Sequence, residues 1–328
     1  MEKKHRILLV ATGGTIACSQ TENGLSPALS AAKLAAGLPL LGEGFELETV
    51  QPFSLDSTNM SPKNWCALAE LIREEYDRFD GFVITHGTDT LGYAAAALSC
   101  LIPNSKKPVV LTGSMLPLTA DNSDAPKNLR DAFIYALSGG ASGVVVCFCG
   151  KIIDGRCAVK LRTDSTDAFE SANRPLVGTV NGEVFSPISP TGSAAHIINT
   201  GNYRAQLDSR VCLIKLIPGN PASVLDVGGD IKAVVIECFG TGGLPDYGDG
   251  AYLKQLSRLV SRGVYVIAAT QCVYGGSDIG LYEVGARLLE YGVIDAKKMT
   301  SEYAVMRAMW ALCNSSCKEE FAALFLTE

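Results

Sequence analysis

Two short segments carry residue types suited to acyl transfer. Thr12-Gly13-Gly14-Thr15 places a hydroxyl directly behind two glycines. Glycine lets a chain turn sharply and approach a ligand closely, and the amides it leaves exposed can hold an anion or oxyanion. His86-Gly87-Thr88-Asp89-Thr90 adds a second hydroxyl and a carboxylate. Asp89 or Thr88 could simply cap the helix expected from Thr90 onward. Two threonine hydroxyls and one acid meeting in one crevice suggest acyl transfer rather than hydride transfer, and a carboxylate there would pair with a substrate ammonium. The first segment lacks the G-x-G-x-x-G spacing of a dinucleotide fingerprint.

A hydroxyl nucleophile needs a base. The chain has 3 histidines, His5, His86 and His196. His5 is almost terminal and His196 falls in a proline-containing connection, which leaves His86, at a position that suits a structural hydrogen-bonder as well as a base. The serine-hydrolase elbow G-x-S-x-G does not occur. Lysine is the alternative, since burial can lower its pKa enough to accept a proton; the residues alone do not choose among the lysines.

Both segments directly follow apolar runs. Arg6–Ala11, Gly81–Thr85, Pro108–Thr112 and Gly143–Phe148 are short and continuously apolar, as strands of a parallel sheet buried on both faces are. Helical patterns lie between them at Pro62–Arg78, Thr90–Leu101 and Ala125–Ser138. This alternation predicts a large N-terminal α/β domain with a doubly wound, mostly parallel sheet. In such sheets ligands bind beyond the carboxyl ends of the strands, where both segments fall. From about Asn181 to Ser209 prolines and small polar residues read as a connection. Strand patterns resume at Val211–Ile217, Lys232–Phe239 and Val264–Thr270. Helical patterns are expected at Pro221–Val227, Ala251–Arg262, Leu281–Tyr291 and Ser301–Asn314. The expected division is a domain at 1–185, a linker at 186–209 and a smaller α/β domain at 210–328.

Composition narrows the function classes. The 328 residues are 47% hydrophobic and 19% charged, a globular profile. A formal net charge of −6 gives no electrostatic footprint for nucleic acid or an anionic membrane. The 11 cysteines form no C-x-x-C pair, so zinc-ribbon spacing is absent. An odd number of mostly apolar-embedded thiols fits a reducing cytosol. The apolar stretch Ile7–Ala11 is too short for the core of an export signal, even with Ala17-Cys18 placed like a lipoprotein cleavage site. A cytoplasmic location is the expectation, and no stretch approaches the length of a transmembrane helix.

Ala11-Thr12-Gly13-Gly14-Thr15-Ile16-Ala17 and Ile84-Thr85-His86-Gly87-Thr88-Asp89-Thr90 closely resemble the two signature segments of the bacterial-type L-asparaginase family. The likeness continues through Leu55–Met60, Leu111–Ser114 and Asp154-Gly155-Arg156 to Lys160. Thr270-Gln271-Cys272 resembles the cytoplasmic, type I branch. The resemblance implies hydrolysis of L-asparagine to L-aspartate and ammonia, with minor glutaminase activity as an option. It matches Thr15 to the nucleophile, and Thr88, Asp89 and Lys160 to a second triad serving proton transfer and water positioning. It matches Asp89 also to the substrate ammonium, and Asp56, Ser57 and Thr58 to the loop that receives the α-carboxylate and amino group. Ser114 matches a position near the carboxamide. Backbone amides of Gly14–Thr15 or Gly87–Thr88 would bind the oxyanion. No metal or organic cofactor is implied, and the expected assembly is a homodimer or a homotetramer of close dimers.

Three departures stand out. Leu25 occupies about the position where many relatives offer a loop tyrosine. Gly243 stands where many have asparagine. Glu283 aligns poorly with the carboxylate that a neighbouring subunit supplies in some members, and reads as a surface-helix residue. Cys272 matches one residue of an allosteric asparagine site, but Val159 and Glu237 do not match its other positions. Two rivals carry the same motifs: the amidase component of a glutamyl-tRNA amidotransferase, and an asparagine sensor that has lost catalysis.

Overall fold

The structure, a computed structural model, describes residues 4–21, 24–27, 29–36, 44–189, 204–247, 250–281 and 283–327. The chain divides into two compact units, Met1–Ala205 and Gln206–Glu328.

The first unit is built on an eight-stranded sheet. In chain order its strands are β1 (His5–Ala11), β4 (Phe45–Val50), β5 (Gly81–Thr85), β6 (Pro108–Thr112), β7 (Gly143–Phe148), β8 (Lys151–Asp154), β11 (Gly178–Asn181) and β12 (Val184–Pro187). Their spatial order is β12-β11-β8-β7-β6-β5-β1-β4. The five strands from β4 to β7 run parallel, and β8, β11 and β12 close one side with antiparallel pairings. Every residue of β5 and β6 is buried, the signature of a sheet covered on both faces. On one face Ile7, Leu9, Val83, Val110 and Val145 join a core with helices α1 (Ala31–Ala36) and α4 (Ala125–Leu137). Helices α2 (Pro62–Glu75) and α3 (Leu91–Leu101) pack on each other, and α3 packs against β6 and β7. The small residues Ala94–Ala97 are all buried, which lets α3 lie close to its neighbours. Helix α2 starts where the sequence commands it, with Pro62 at its first turn and a capping box between Ser61 and Asn64.

Two hairpins lie outside this sheet. Strands β2 (Cys18–Thr21) and β3 (Gly24–Pro27) pair antiparallel, as do β9 (Ala158–Lys160) and β10 (Phe169–Ser171). Leu25 lies in β3, but its side chain is outside the described residues, as are Glu22 and Asn23.

The second unit has its own parallel sheet, β13 (Val211–Lys215), β14 (Ala233–Cys238), β15 (Tyr265–Thr270) and β16 (Ile294–Asp295), in that order. Helices α5 (Ala251–Ser261), α6 (Glu283–Glu290), α7 (Ser301–Asn314) and α8 (Lys318–Leu326) accompany it. Helix α7 has the expected bounds, opened by the Thr300 hydroxyl accepting the Tyr303 amide at 3.1 Å. The helix expected at Pro221–Val227 is a single 3-10 turn, Ala222–Leu225. Prolines at 218 and 221 and glycines at 219, 228 and 229 leave it no room to extend. The Glu283 side chain and most of the 186–209 connection, residues 190–203, lie outside the described residues.

Candidate active site

The first motif leaves β1 and turns at once. Gly13 and Gly14 have φ of 104° and 77°, in the region that favours glycine. Leu55 joins this turn as a strand would: its amide donates to the Thr12 carbonyl at 2.9 Å and its carbonyl accepts from Gly14 at 3.0 Å. A Cβ on Gly13 would stand 2.4 Å from the Leu55 oxygen. One on Gly14 would stand 2.3 Å from the Gly87 Cα. One on Gly87 would meet the Ser57 side chain at 2.7 Å. Three segments far apart in sequence therefore touch where only glycines fit, and the touching residues are Gly14, Gly87 and Ser57. Thr15 and Thr88 each follow one of the two touching glycines.

Further bonds fix this meeting point. The Thr12 amide and hydroxyl both donate to the Thr85 carbonyl, at 3.1 and 2.8 Å. The Thr90 hydroxyl donates to the Ser57 carbonyl at 2.8 Å. The Cys18 thiol reaches the Gly14 carbonyl at 3.3 Å; burial, then the negative charge of Asp56, raises its pKa and keeps it a thiol. Only the folded arrangement shows that Thr90 and Cys18 hold the turns.

The second motif departs from a plain helix start. Thr88–Thr90 is a 3-10 turn leading into α3, and neither Thr88 nor Asp89 caps it. Instead Lys160 donates from Nζ to Thr88 Oγ1 at 2.8 Å and to Asp89 Oδ1 at 2.6 Å. Thr88 is buried, Lys160 half-buried and Asp89 exposed, so the triad runs from the interior to the rim. The Thr88 oxygen accepts from lysine, which leaves its own proton for another acceptor. Among the described lysines, Lys160 is the one that donates to Thr88.

His86 is fully buried. Its Nδ1 lies 2.8 Å from the Gly87 carbonyl, while no partner is found for Nε2 among the described residues. Desolvation lowers its pKa to about 4 against a smaller opposing effect of that carbonyl, so the ring is neutral near pH 7.

The other expected residues occupy different layers. Ser57 is buried, while Asp56 and Thr58 are exposed beside it. Asp56 Oδ1 accepts the Thr58 amide and hydroxyl, both at 2.9 Å, and so caps the 3-10 turn Ser57–Asn59. Ser114 is fully buried and its hydroxyl donates to the Leu116 carbonyl. Its neighbour Gly113 packs against the His86 carbonyl, which a Cβ would approach to 2.4 Å. Asp124 receives the amides of Met115 and Leu116, and Asn128 Nδ2 donates to the Gly113 carbonyl at 3.0 Å. Asp124 and Asn128, one turn apart, thus hold the segment bearing Ser114; nothing in their sequence setting announced it.

A paired hydroxyl and ammonium beside two tight glycine turns, at the carboxyl ends of β1 and β5 of an α/β sheet, suit an amidohydrolase. Residues 6–190 match the family model "Asparaginase, N-terminal" and residues 210–325 match "Glutaminase/Asparaginase C-terminal domain". The chain belongs to the asparaginase family. It is 41% identical to an L-asparaginase of Thermococcus kodakarensis, over 96% of this chain and 95% of that protein. It is 33% identical to a glutamyl-tRNA(Gln) amidotransferase component of Pyrococcus abyssi, over 98% of this chain but 75% of that one. Among solved structures, the thermostable L-asparaginase of T. kodakarensis superposes with a TM-score of 0.85 at 38% identity, covering 98% and 97% of the two chains. A probable cytoplasmic L-asparaginase of Campylobacter jejuni superposes with a TM-score of 0.83 at 27% identity, covering 99% and 100%.

Proposed function

We propose that this enzyme hydrolyses L-asparagine to L-aspartate and ammonia by double displacement at Thr15. The observation that carries the reading is the contact of Gly14 with Gly87, which sets Thr15 and the Thr88–Lys160 pair at adjoining turns. Thr15 Oγ attacks the side-chain amide carbon, and its proton leaves with the ammonia. The resulting aspartyl ester is cleaved by water held near Thr88 and Lys160, which returns the proton to Thr15. Backbone amides of Gly87–Thr88 or of the Gly14–Thr15 turn stabilise the oxyanion, in the latter through Thr15 because the Gly14 amide already bonds the Leu55 carbonyl; such a donor is typically worth about 3–4 kcal/mol of barrier. Asp89, exposed at the rim, receives the substrate ammonium, and the Asp56–Thr58 turn receives the rest of the amino-acid head. Ser114 bounds the crevice near the carboxamide.

The test is ammonia release from L-asparagine beside L-glutamine, for wild type, Thr15→Ala and Thr88→Ala. Loss in both folded variants supports the assignment; near-normal turnover in both sinks it. The glutamine rate fixes whether glutaminase activity is minor.

A second reading, amidase partner of a tRNA-dependent amidotransferase, is favoured by the likeness to the Pyrococcus protein. The net charge of −6 opposes a tRNA partner. Turnover of free asparagine in the absence of tRNA and of any second protein decides for the hydrolase. The enzyme is proposed to act in the cytoplasm, on the likeness to the Campylobacter protein, as a homodimer or a tetramer of close dimers that light scattering would size. Among the described residues no helix is long and apolar enough to cross a membrane.

A further inference from the structure

Lys160 is carried by an unusually small support. Strand β9 is three residues long, belongs to the two-stranded β9–β10 sheet, and places Lys160 directly opposite Phe169. The hairpin closes beyond Lys160 through the Leu161 amide, which donates to the Ala168 carbonyl at 2.8 Å. Its entrance is fixed by packing: a Cβ on Gly155 would stand 2.7 Å from the Ser99 hydroxyl of α3. What fixes β10, against which Lys160 is registered, is a different group.

Lys151 stands on β8, opposite Phe148 of β7 and Thr179 of β11, so its backbone belongs to the eight-stranded sheet. Its side chain crosses to β10. Nζ forms ion pairs with Asp167 at 2.7 Å and Glu170 at 2.9 Å, and donates to the Phe169 carbonyl at 3.3 Å. The three contacts bracket the residue facing Lys160. Arg162, across the hairpin, donates to the Asp167 carbonyl at 2.6 Å and to Glu170 at 3.1 Å. The Phe169 ring meets Phe148 at 4.9 Å between centroids, a second link to the same sheet. Burial alone would lower the Lys151 pKa, but its two carboxylate partners outweigh it and the pKa is raised; the ammonium is retained.

We propose that Lys151 is a positioning residue for Lys160, tying β10 to the main sheet so that Lys160 Nζ stays aligned on Thr88. This deepens the reading above and rests on Lys160 acting there. A catalytic hydrogen bond tolerates little displacement, and a shift of about 1 Å from a distant change can cost up to about a hundredfold in rate. A hairpin held by few backbone bonds would supply that displacement once its ionic tie is cut. Removing the tie should act mainly on kcat, because Asp56, Ser57 and Thr58 do not ride on the hairpin and Asp89 meets it only through Lys160.

The experiment compares wild type, Lys151→Met and Lys151→Arg by steady-state kinetics on L-asparagine and by hydrogen exchange of peptides spanning 158–171. Lys151→Met, which keeps the stem and drops the charge, should lower kcat about tenfold with KM within about twofold. Exchange in the hairpin should rise about tenfold while peptides from β6 and β7 are unchanged. Lys151→Arg, which keeps the charge and can grip both carboxylates, should restore kcat to within about threefold and the protection with it. Faster exchange with unchanged kcat makes Lys151 merely structural and overturns the proposal. Lowered kcat with unchanged exchange overturns it as well. A wild type inert towards asparagine would instead refute the functional reading; unchanged hairpin exchange in Lys151→Met would then still refute the tie.

Discussion

Each unit has a glycine-rich turn at the carboxyl end of a parallel strand, and the two are used differently. After β1, Gly13 and Gly14 press against Leu55 and Gly87, residues of other segments, so the turn is a junction of three chain stretches. After β14, Phe239 and Gly243 of Phe239-Gly240-Thr241-Gly242-Gly243 exchange backbone hydrogen bonds at 3.0 and 2.7 Å, and the Thr270 hydroxyl and Asp278 amide donate to the Gly240 and Thr241 carbonyls. A Cβ on Gly240 would meet nothing within 4 Å, and one on Gly243 only the Phe239 carbonyl at 3.5 Å. Gly242 alone is crowded, by the Ile279 side chain. Glycine content therefore does not mark a site. What sets the first turn apart is that Gly13 and Gly14 meet the backbone of Leu55 and Gly87 next to the Thr88–Lys160 pair; Gly276 is crowded by Lys297 backbone too, so crowding alone does not mark a site.

One methyl group placed in each turn separates the two. Gly14→Ala must adopt a φ of 77° and thrust its Cβ into Gly87 backbone, so it should cost about 3 kcal/mol or more and abolish turnover. Gly243→Ala should change stability by no more than about 0.5 kcal/mol and leave kcat unchanged. Chemical denaturation and ammonia release measure both; equal effects in the two turns would contradict the distinction.

A smaller effect separates chemistry from scaffold within the first unit. Thr88→Val and Lys160→Met should each lower kcat by about 10²- to 10⁴-fold with a melting temperature within a few degrees of wild type. Because the two side chains share one hydrogen bond, the double variant should be little worse than the worse single one. Additive losses would mean that they act separately.

The smallest effect concerns His86. Its folded pKa of about 4 lies below the ordinary 6.5, so between those values the unfolded chain binds a proton that the folded one refuses. Its contribution is intact above about pH 6.5, and stability falls as pH drops from there towards 4, by up to about 3 kcal/mol. The imidazole Cε1–H resonance should show no titration step between pH 8 and about 5. A midpoint near 6.5 would place the ring in water and contradict its burial.

Four of the five parallel strands of the first sheet were legible because β1, β5, β6 and β7 are continuous apolar runs, and both motifs were legible because they follow such runs directly; β4, with Glu46, Glu48 and Thr49 among its six residues, was not. The antiparallel edge was not. Strands β8, β11 and β12 have four residues each, too few to show a period, and β12 begins within the stretch whose composition reads as a connection. Helix α8 escaped notice because Lys318-Glu319-Glu320 opens it with charge rather than an apolar stripe. In the site, Gly14, Gly87, Thr88 and Asp89 could be read locally. Lys160 could not be chosen among the lysines by chemistry alone, because its contact with Thr88 spans 72 residues and depends on the β9–β10 hairpin. The roles of Leu55, Asp124 and Asn128 depend on backbone groups, which no residue type announces.

If Thr15 is the nucleophile of an asparagine hydrolase, as proposed, ammonia release from L-asparagine must depend on its hydroxyl, which a folded Thr15→Ala removes. The expected result is steady release by wild type and a loss of at least about a thousandfold in the variant, which still binds asparagine. Near-normal release from Thr15→Ala, or a wild type that binds asparagine without releasing ammonia, would contradict it.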